Sequence, residues 1–245
     1  MRFKFEIRNS EFEIKNTDDR FCAGKAIHHE LEITATVYGE KFTFPVNYVY
    51  PSNAKNIKTF VHINFRPHMP DKYMPSEEIA DNGFACASFC SEDVTSDDAD
   101  FTNGLARLIY KNSDRDATSP GKIAMWAWAA HRALDYAETQ DKLDMNCAIV
   151  CGHSRLGKTA LLCGATDERF SFVHSNNSGC GGASITRGKI GERVADITNM
   201  FPYWFCENYK QYANRESEMP FDQHYIIASV APRYVYVASA AEDLW

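Results

Sequence analysis

The chain has 245 residues, 44% of them hydrophobic and 24% charged, and carries a net charge of −7. That is enough chain for one large domain with a sizeable core. The acidic balance excludes the basic face that nucleic-acid binding requires, and no run approaches the roughly 20 apolar residues that span a bilayer.

The N-terminus, Met1-Arg-Phe-Lys-Phe-Glu-Ile7, has no apolar stretch of the kind a signal peptide needs, so no export signal is visible. Two segments then alternate apolar with polar residues, Glu30–Val37 and Lys41–Tyr50. This spacing predicts half-buried strands, and the gap Tyr38-Gly-Glu-Lys41 suits a hairpin turn. Thr59–Asn64 and Phe84–Phe89 are apolar without alternation, which predicts strands covered on both faces. A Pro-punctuated loop, Arg66–Pro75, lies between them, and a second loop, Glu92–Ser119, reads as acidic and irregular. Asp71 and the acidic run Glu92–Asp100 are expected to be solvated. Gly121–Glu138 is Ala-rich with apolar residues at helical spacing, a helix signal. Ala148–Val150 reads as a buried strand, Leu156–Gly164 as a helix, and Phe170–His174 and Tyr234–Ala238 as strands. Strands alternating with helices predict an α/β domain with a mostly parallel sheet, over residues 1–245.

The eight cysteines, at 22, 86, 90, 147, 151, 163, 180 and 206, form no C-x-x-C pair, which argues against a zinc site. Most sit in apolar runs, so buried free thiols are expected. No metal or other cofactor is implied.

The stretch Cys147–Ala160 carries two incompatible patterns. As G-x-S-x-x-G it is a strand–turn–helix that lifts Ser154 out of a sheet as a nucleophile. As G-x-x-x-x-G-K-[ST] it is a phosphate-binding loop, with Lys158 and Thr159 on nucleotide phosphates and metal. His153, Ser154 and Arg155 leave no glycine inside the loop, whereas a phosphate cradle works by wrapping backbone N–H groups around the anion. About three-fifths of the chain also precedes the motif, where phosphate loops normally open their sheet.

Gly152-His-Ser-Arg-Leu-Gly-Lys158 resembles the G-x-S-R-x-G-K signature of the glucuronoyl esterases, carbohydrate esterase family fifteen. Ala165–Phe170, Asn176–Gly182, Pro202–Cys206, Met219–His224, Ala231–Arg233 and Ala238–Trp245 follow at family-like spacing, and Trp126-Ala-Trp128 fits upstream. The resemblance covers residues 120–245 well and the first 120 loosely. It implies an α/β-hydrolase three-layer sandwich and a serine esterase that cleaves (4-O-methyl)glucuronoyl esters joining lignin alcohols to xylan. Other carbohydrate esterases, such as an acetyl-xylan deacetylase, are the neighbouring alternative, and a non-catalytic uronate-glycan binder is another. Relatives acting on such polymers are commonly secreted or periplasmic.

The resemblance also assigns roles. Ser154 is the nucleophile. The Arg155 backbone N–H and side chain serve the oxyanion, and Lys158 contacts sugar hydroxyls. Trp245 is a platform for the sugar, and Glu192 and Trp204 shape the uronate pocket. Asn64-Phe-Arg-Pro67 stands where a second oxyanion donor usually arises. Fungal members carry a Glu where this chain has Asn177, which cannot hold a charge. Some bacterial members instead place the acid after the following core strand, and the resemblance puts that position at Asp243 or, second, Glu242. In this order a histidine follows the acid, yet none of the eight histidines, at 28, 29, 62, 68, 131, 153, 174 and 224, lies downstream of Asp243. This predicts a chain that lacks the last strand, the His loop and the closing helix, with weak Ser154-dependent turnover. His153 abuts Ser154, but neighbours in such a turn point apart.

Overall fold

The computed structural model describes residues 10–111, 114–188 and 190–242. They form eight strands, β1 Ser10–Asp18, β2 Ala26–Val37, β3 Glu40–Pro51, β4 Ile57–Asn64, β5 Phe84–Cys90, β6 Leu143–His153, β7 Phe170–Asn176 and β8 Tyr234–Ala238. The helices are α1 Ser76–Asp81, α2 Ser91–Val94, α3 Gly104–Tyr110, α4 Lys122–Glu138, α5 Arg155–Thr166, α6 Val194–Met200, α7 Glu207–Lys210 and α8 His224–Ala228.

The alternating N-terminal segments pair as expected. Val37 faces Glu40 across the β2–β3 hairpin, which leaves a two-residue turn of Tyr38 and Gly39, both at positive φ. That left-handed pair matches the right-handed twist of the strands it joins. Leu31, Ile33, Ala35 and Val37 of β2 point inward and are buried.

All eight strands share one sheet, ordered β1-β2-β3-β5-β4-β6-β7-β8. The first three junctions are antiparallel and the remaining four parallel. Two faces of different character result. On one, α4 and α5 pack on Ala85, Ala87, Phe89, Val150 and Val173. Alanines 127, 129, 130, 133 and 137 of α4 are all buried, and small side chains let the helix come close. Gly164 of α5 sits so near β7 that a Cβ would lie 2.1 Å from Val173 Cγ2. On the other face, α1 brings Ala80 against Val49, Cys86 and Met74.

Among the described residues no helix is long and apolar enough to cross a membrane. All eight cysteines are free thiols. Cys86, Cys90, Cys163 and Cys180 are buried, while Cys22, Cys147, Cys151 and Cys206 are partly exposed. Burial pushes the Cys86 and Cys163 thiols up, so these side chains stay protonated and apolar.

The parallel strands end at one edge. His153 of β6, Asn176 of β7 and Ala238 of β8 are register partners in sequence across it. The carboxyl edge of a parallel sheet is where ligand sites of open α/β folds form, and Ser154, Asn177 and the loop after β8 all lie there.

Candidate active site

Strand β6 ends at His153 and helix α5 begins at Arg155, so Ser154 alone makes the turn. Its backbone sits at φ 56, ψ −125, a left-handed conformation that a non-glycine residue holds only under constraint. The constraint is visible. Ser154 N–H donates to Asn176 O at 2.9 Å, and Ser154 O accepts Gly157 N–H at 2.9 Å and Lys158 N–H at 3.1 Å. The flanking glycines allow the close turn. A Cβ on Gly152 would lie 2.3 Å from Leu156 O, and one on Gly157 2.9 Å from Asn176 O. A one-residue turn has no loop to wrap around phosphate, which overturns the nucleotide-binding alternative. Ser154 occupies the helix-capping position, yet its side chain makes no capping bond. The hydroxyl is therefore not consumed by the helix, and the N–H groups of Arg155 and Leu156, which have no intrahelical acceptor by position, open toward the same edge.

Arg155 makes a 2.5 Å ion pair from Nε to Asp97 Oδ2. Its guanidinium carbon lies 4.6 Å from the centre of the Phe65 ring and 5.8 Å from that of Trp204. Trp204 Nε1–H donates to Asp97 Oδ1 at 2.6 Å, so one carboxylate ties both residues. Trp204 is 5% exposed and stacks on Phe201 at 3.9 Å. Its backbone closes on the start of α4, where a Cβ on Gly121 would lie 2.2 Å from Trp204 O.

These contacts correct the expectation of an irregular segment at 92–119 and of a solvated Asp97, while Glu92, Asp98 and Asp100 are exposed as expected. Helix α3 lies within it, and the preceding turn is pinned from three sides. Lys122, fully buried, donates Nζ to Thr95 Oγ1 at 2.9 Å and Asp100 O at 2.6 Å. Trp126 Nε1–H reaches Thr95 O at 3.3 Å. Asn103 accepts Ser96 N–H at 3.0 Å and donates to Ser96 Oγ at 2.7 Å. Burial draws the Lys122 ammonium down to about 8 against the opposing pull of Asp98 and Asp100. Asp71 is likewise not solvated, its side chain being 4% exposed. Burial raises its carboxyl, but hydrogen bonds from Asn64 and Arg66 outweigh that and leave it below the usual range.

Lys158, one turn along α5, is 5% exposed and donates to Ser178 O at 2.6 Å. Glu192 Oε2 accepts Cys180 N–H at 3.2 Å. Both side chains meet at Gly179, which has φ +53. A Cβ there would lie 3.1 Å from Glu192 Oε2 and 3.9 Å from Lys158 Nζ. The strand of backbone from 178 to 181 is thus strung between a cation and a carboxylate, and Lys158 Nζ lies 5.7 Å from the Trp204 ring centre. Ser154, Arg155, Lys158, Glu192 and Trp204 form one connected group.

Glu242 stands exposed on the loop after β8. Asp243 and Trp245 lie outside the described residues. Asn177, at φ 45, accepts Ala240 N–H through Oδ1 at 3.0 Å and donates its own N–H to Ala238 O at 2.8 Å, so it fastens the Glu242 loop to the end of β7. Asn64 is buried. Its Oδ1 accepts Phe65 N–H at 2.8 Å and its Nδ2 donates to Asp71 at 2.9 Å, so that N–H is already spoken for. His153 turns away from the serine, as expected, to Asn176 at 3.1 Å and the Phe65 ring. Among the described residues no histidine hydrogen-bonds the Ser154 hydroxyl. Behind the turn, on the α1 face, a cavity of about 420 Å³ is lined by Phe60, His62, Tyr73, Cys151 and His174. Burial draws His62 down to about 4. No cluster of three or more metal-ligating side chains is found among the described residues.

The family model described as glucuronyl esterase, fungi, matches residues 33–245. The chain belongs to the glucuronoyl esterase family. A curated carbohydrate esterase, MZ0003, from an unknown prokaryotic organism is 42% identical over 174 residues, covering 69% of this chain and 40% of the relative. The 4-O-methyl-glucuronoyl methylesterase of Podospora anserina is 26% identical, covering 95% of this chain and 51% of the relative. The chain therefore spans about half or less of the length of these two curated relatives. The glucuronoyl esterase structure from Solibacter usitatus superposes with a TM-score of 0.84 at 31% identity, over 97% of this chain and 69% of that one.

The α/β-hydrolase reading of the sequence thus holds, as does the family. Asp97 escaped the sequence reading. It sits in an acidic run with no motif around it, and its partners are 58 and 107 residues away.

Proposed function

We propose that this glucuronoyl esterase family member is a serine carboxylic-ester hydrolase acting on (4-O-methyl)glucuronoyl esters, such as those joining lignin alcohols to glucuronoxylan. The observation that carries this is the Ser154 turn: a strained, uncapped hydroxyl at the carboxyl edge of a parallel sheet, followed at once by the open N-terminus of α5. The family membership and the names of the curated relatives supply the substrate class.

The chemistry follows from the arrangement. Ser154 Oγ attacks the ester carbonyl and gives up its proton to a base at the same edge. Glu242, on the loop that Asn177 fastens, and Asp243, the next residue in the sequence, are the candidates to orient that base. As the carbonyl oxygen gains charge, the Arg155 N–H and the positive end of α5 meet it. The Arg155 guanidinium adds charge from the side. The alcohol leaves, and water releases the glucuronate from Ser154. Lys158, Glu192 and Trp204 form the wall against which the uronate ring packs, with Trp245 as a further platform.

The test is hydrolysis of methyl or benzyl glucuronate beside an acetylated xyloside. The expected result is preference for the glucuronate ester by at least about tenfold. In a form of the protein that also supplies the histidine base, Ser154→Ala should lower that rate by at least about 10³-fold, the scale on which a nucleophile contributes, whereas residues 1–245 alone should show only weak Ser154-dependent turnover. Turnover that survives Ser154→Ala, or a preference for the acetyl ester, would refute the reading.

A further inference from the structure

We propose that Asp97 is a positioning and specificity residue. It fixes the Arg155 guanidinium and offsets its charge, so that the site favours the neutral uronate ester over the anionic uronate product. The proposal rests on the substrate reading above and deepens it.

Four observations carry it. Asp97 binds Arg155 through one oxygen at 2.5 Å and the Trp204 indole through the other at 2.6 Å. One oxygen thus accepts a hydrogen bond and the other makes a charge contact with Arg155 Nε, and the carboxylate side chain is only 12% exposed. The turn that carries it is held by Lys122, Trp126 and Asn103, so Asp97 is presented to Arg155 rather than swinging in solvent. Arg155 is the residue directly after Ser154, and its guanidinium lies among Asp97, Phe65 and Trp204 at the serine's edge. Finally, a second cation and carboxylate of the group stand near one another, since Lys158 Nζ and Glu192 Oε2 both approach the spot beside Gly179.

The chemical consequence concerns the difference between substrate and product. The ester is uncharged at the reacting carbon, and hydrolysis turns that carbon into a carboxylate. A bare arginine beside the nucleophile would attract the product more than the substrate and slow its release. An arginine with a fixed counter-ion keeps its donors aimed at the oxygen where charge develops briefly, while its net pull on a stable anion is reduced. Stabilisation that acts in the transition state without holding the product is what raises turnover.

The experiment uses the Ser154→Ala protein, which cannot consume the ester, and compares its Kd for methyl glucuronate and for free glucuronate by calorimetry. Asp97→Asn keeps the shape and an oxygen for the Trp204 indole while removing the charge. In the Asp97→Asn background, glucuronate should bind about three- to fivefold tighter relative to the methyl ester, the scale of one partly exposed ion pair. Methyl ester binding should stay within about twofold, which also reports an intact pocket. Asp97→Glu, which restores the charge, should return the ratio toward that of Ser154→Ala alone. A purely structural role would weaken both ligands together and leave the ratio unchanged, and that result would overturn the proposal. If the Ser154→Ala protein binds neither ligand, the substrate reading falls, and this inference with it.

Discussion

The Ser154 turn and the Asp97 turn meet across one ion pair but are built in opposite ways. The Ser154 turn is one residue long and is held by backbone: three main-chain hydrogen bonds and two glycines that let chain segments approach within contact distance. The Asp97 turn spans residues 95–103 and is held by side chains from α4 and from its own asparagine. A turn fixed by backbone tolerates no added atom but is indifferent to charge. A turn fixed by a buried cation and amide depends on those groups and on their protonation.

That contrast orders the consequences of mutation. Gly152→Ala should have the largest effect, because a Cβ 2.3 Å from Leu156 O forces β6 and α5 apart. We expect a loss on the order of 3 kcal/mol in thermal or denaturant unfolding, toward the top of the overpacking range. A variant as stable as the parent would show that the turn is not set by backbone contact. Lys122→Met should cost less, about 2 kcal/mol, because Thr95 Oγ1 and Asp100 O lose their buried donor. It should also release Trp204, seen as a change in indole fluorescence, whereas an unchanged spectrum would mean that the Asp97 turn stands without its cation.

The smallest effect is a pH slope. The Lys122 ammonium titrates near 8 in the folded chain and near about 10.4 when unfolded. Between those values the unfolded chain binds more protons, so the Lys122 contribution rises with pH through the window and falls away as pH drops back through 8. Relative to Lys122→Met, the parent should gain on the order of 1 kcal/mol between pH 8 and 10. Parallel stability curves for the two proteins would argue against a desolvated ammonium at this site.

The same contrast explains what could be read from the sequence. The Ser154 turn was legible because its requirements are local: a strand, a glycine, a serine and a second glycine at fixed spacing. The hairpin at Tyr38–Gly39 and helix α4 were legible for the same reason, one from alternation and a turn glycine, the other from alanine content. The Asp97 turn was not. Its acidic run looks like solvent-facing surface because the lysine that neutralises it comes 25 residues later and the arginine it serves 58 residues later. Asp71 was misread similarly, since its burial depends on Asn64 and Arg66 folding back over it. Helix α3 was hidden by its shortness, as seven residues carry little periodic signal. The acid is the intermediate case. Asn177 was correctly seen to lack charge, but its work as a fastener of the Glu242 loop needs the pairing of β7 with β8 to be known.

The most direct test of the account is mass spectrometry of the protein quenched while it hydrolyses methyl glucuronate. The account predicts a glucuronoyl ester on the peptide carrying Ser154, absent in Ser154→Ala. Hydrolysis with no such adduct, or with the adduct on another residue, would contradict it.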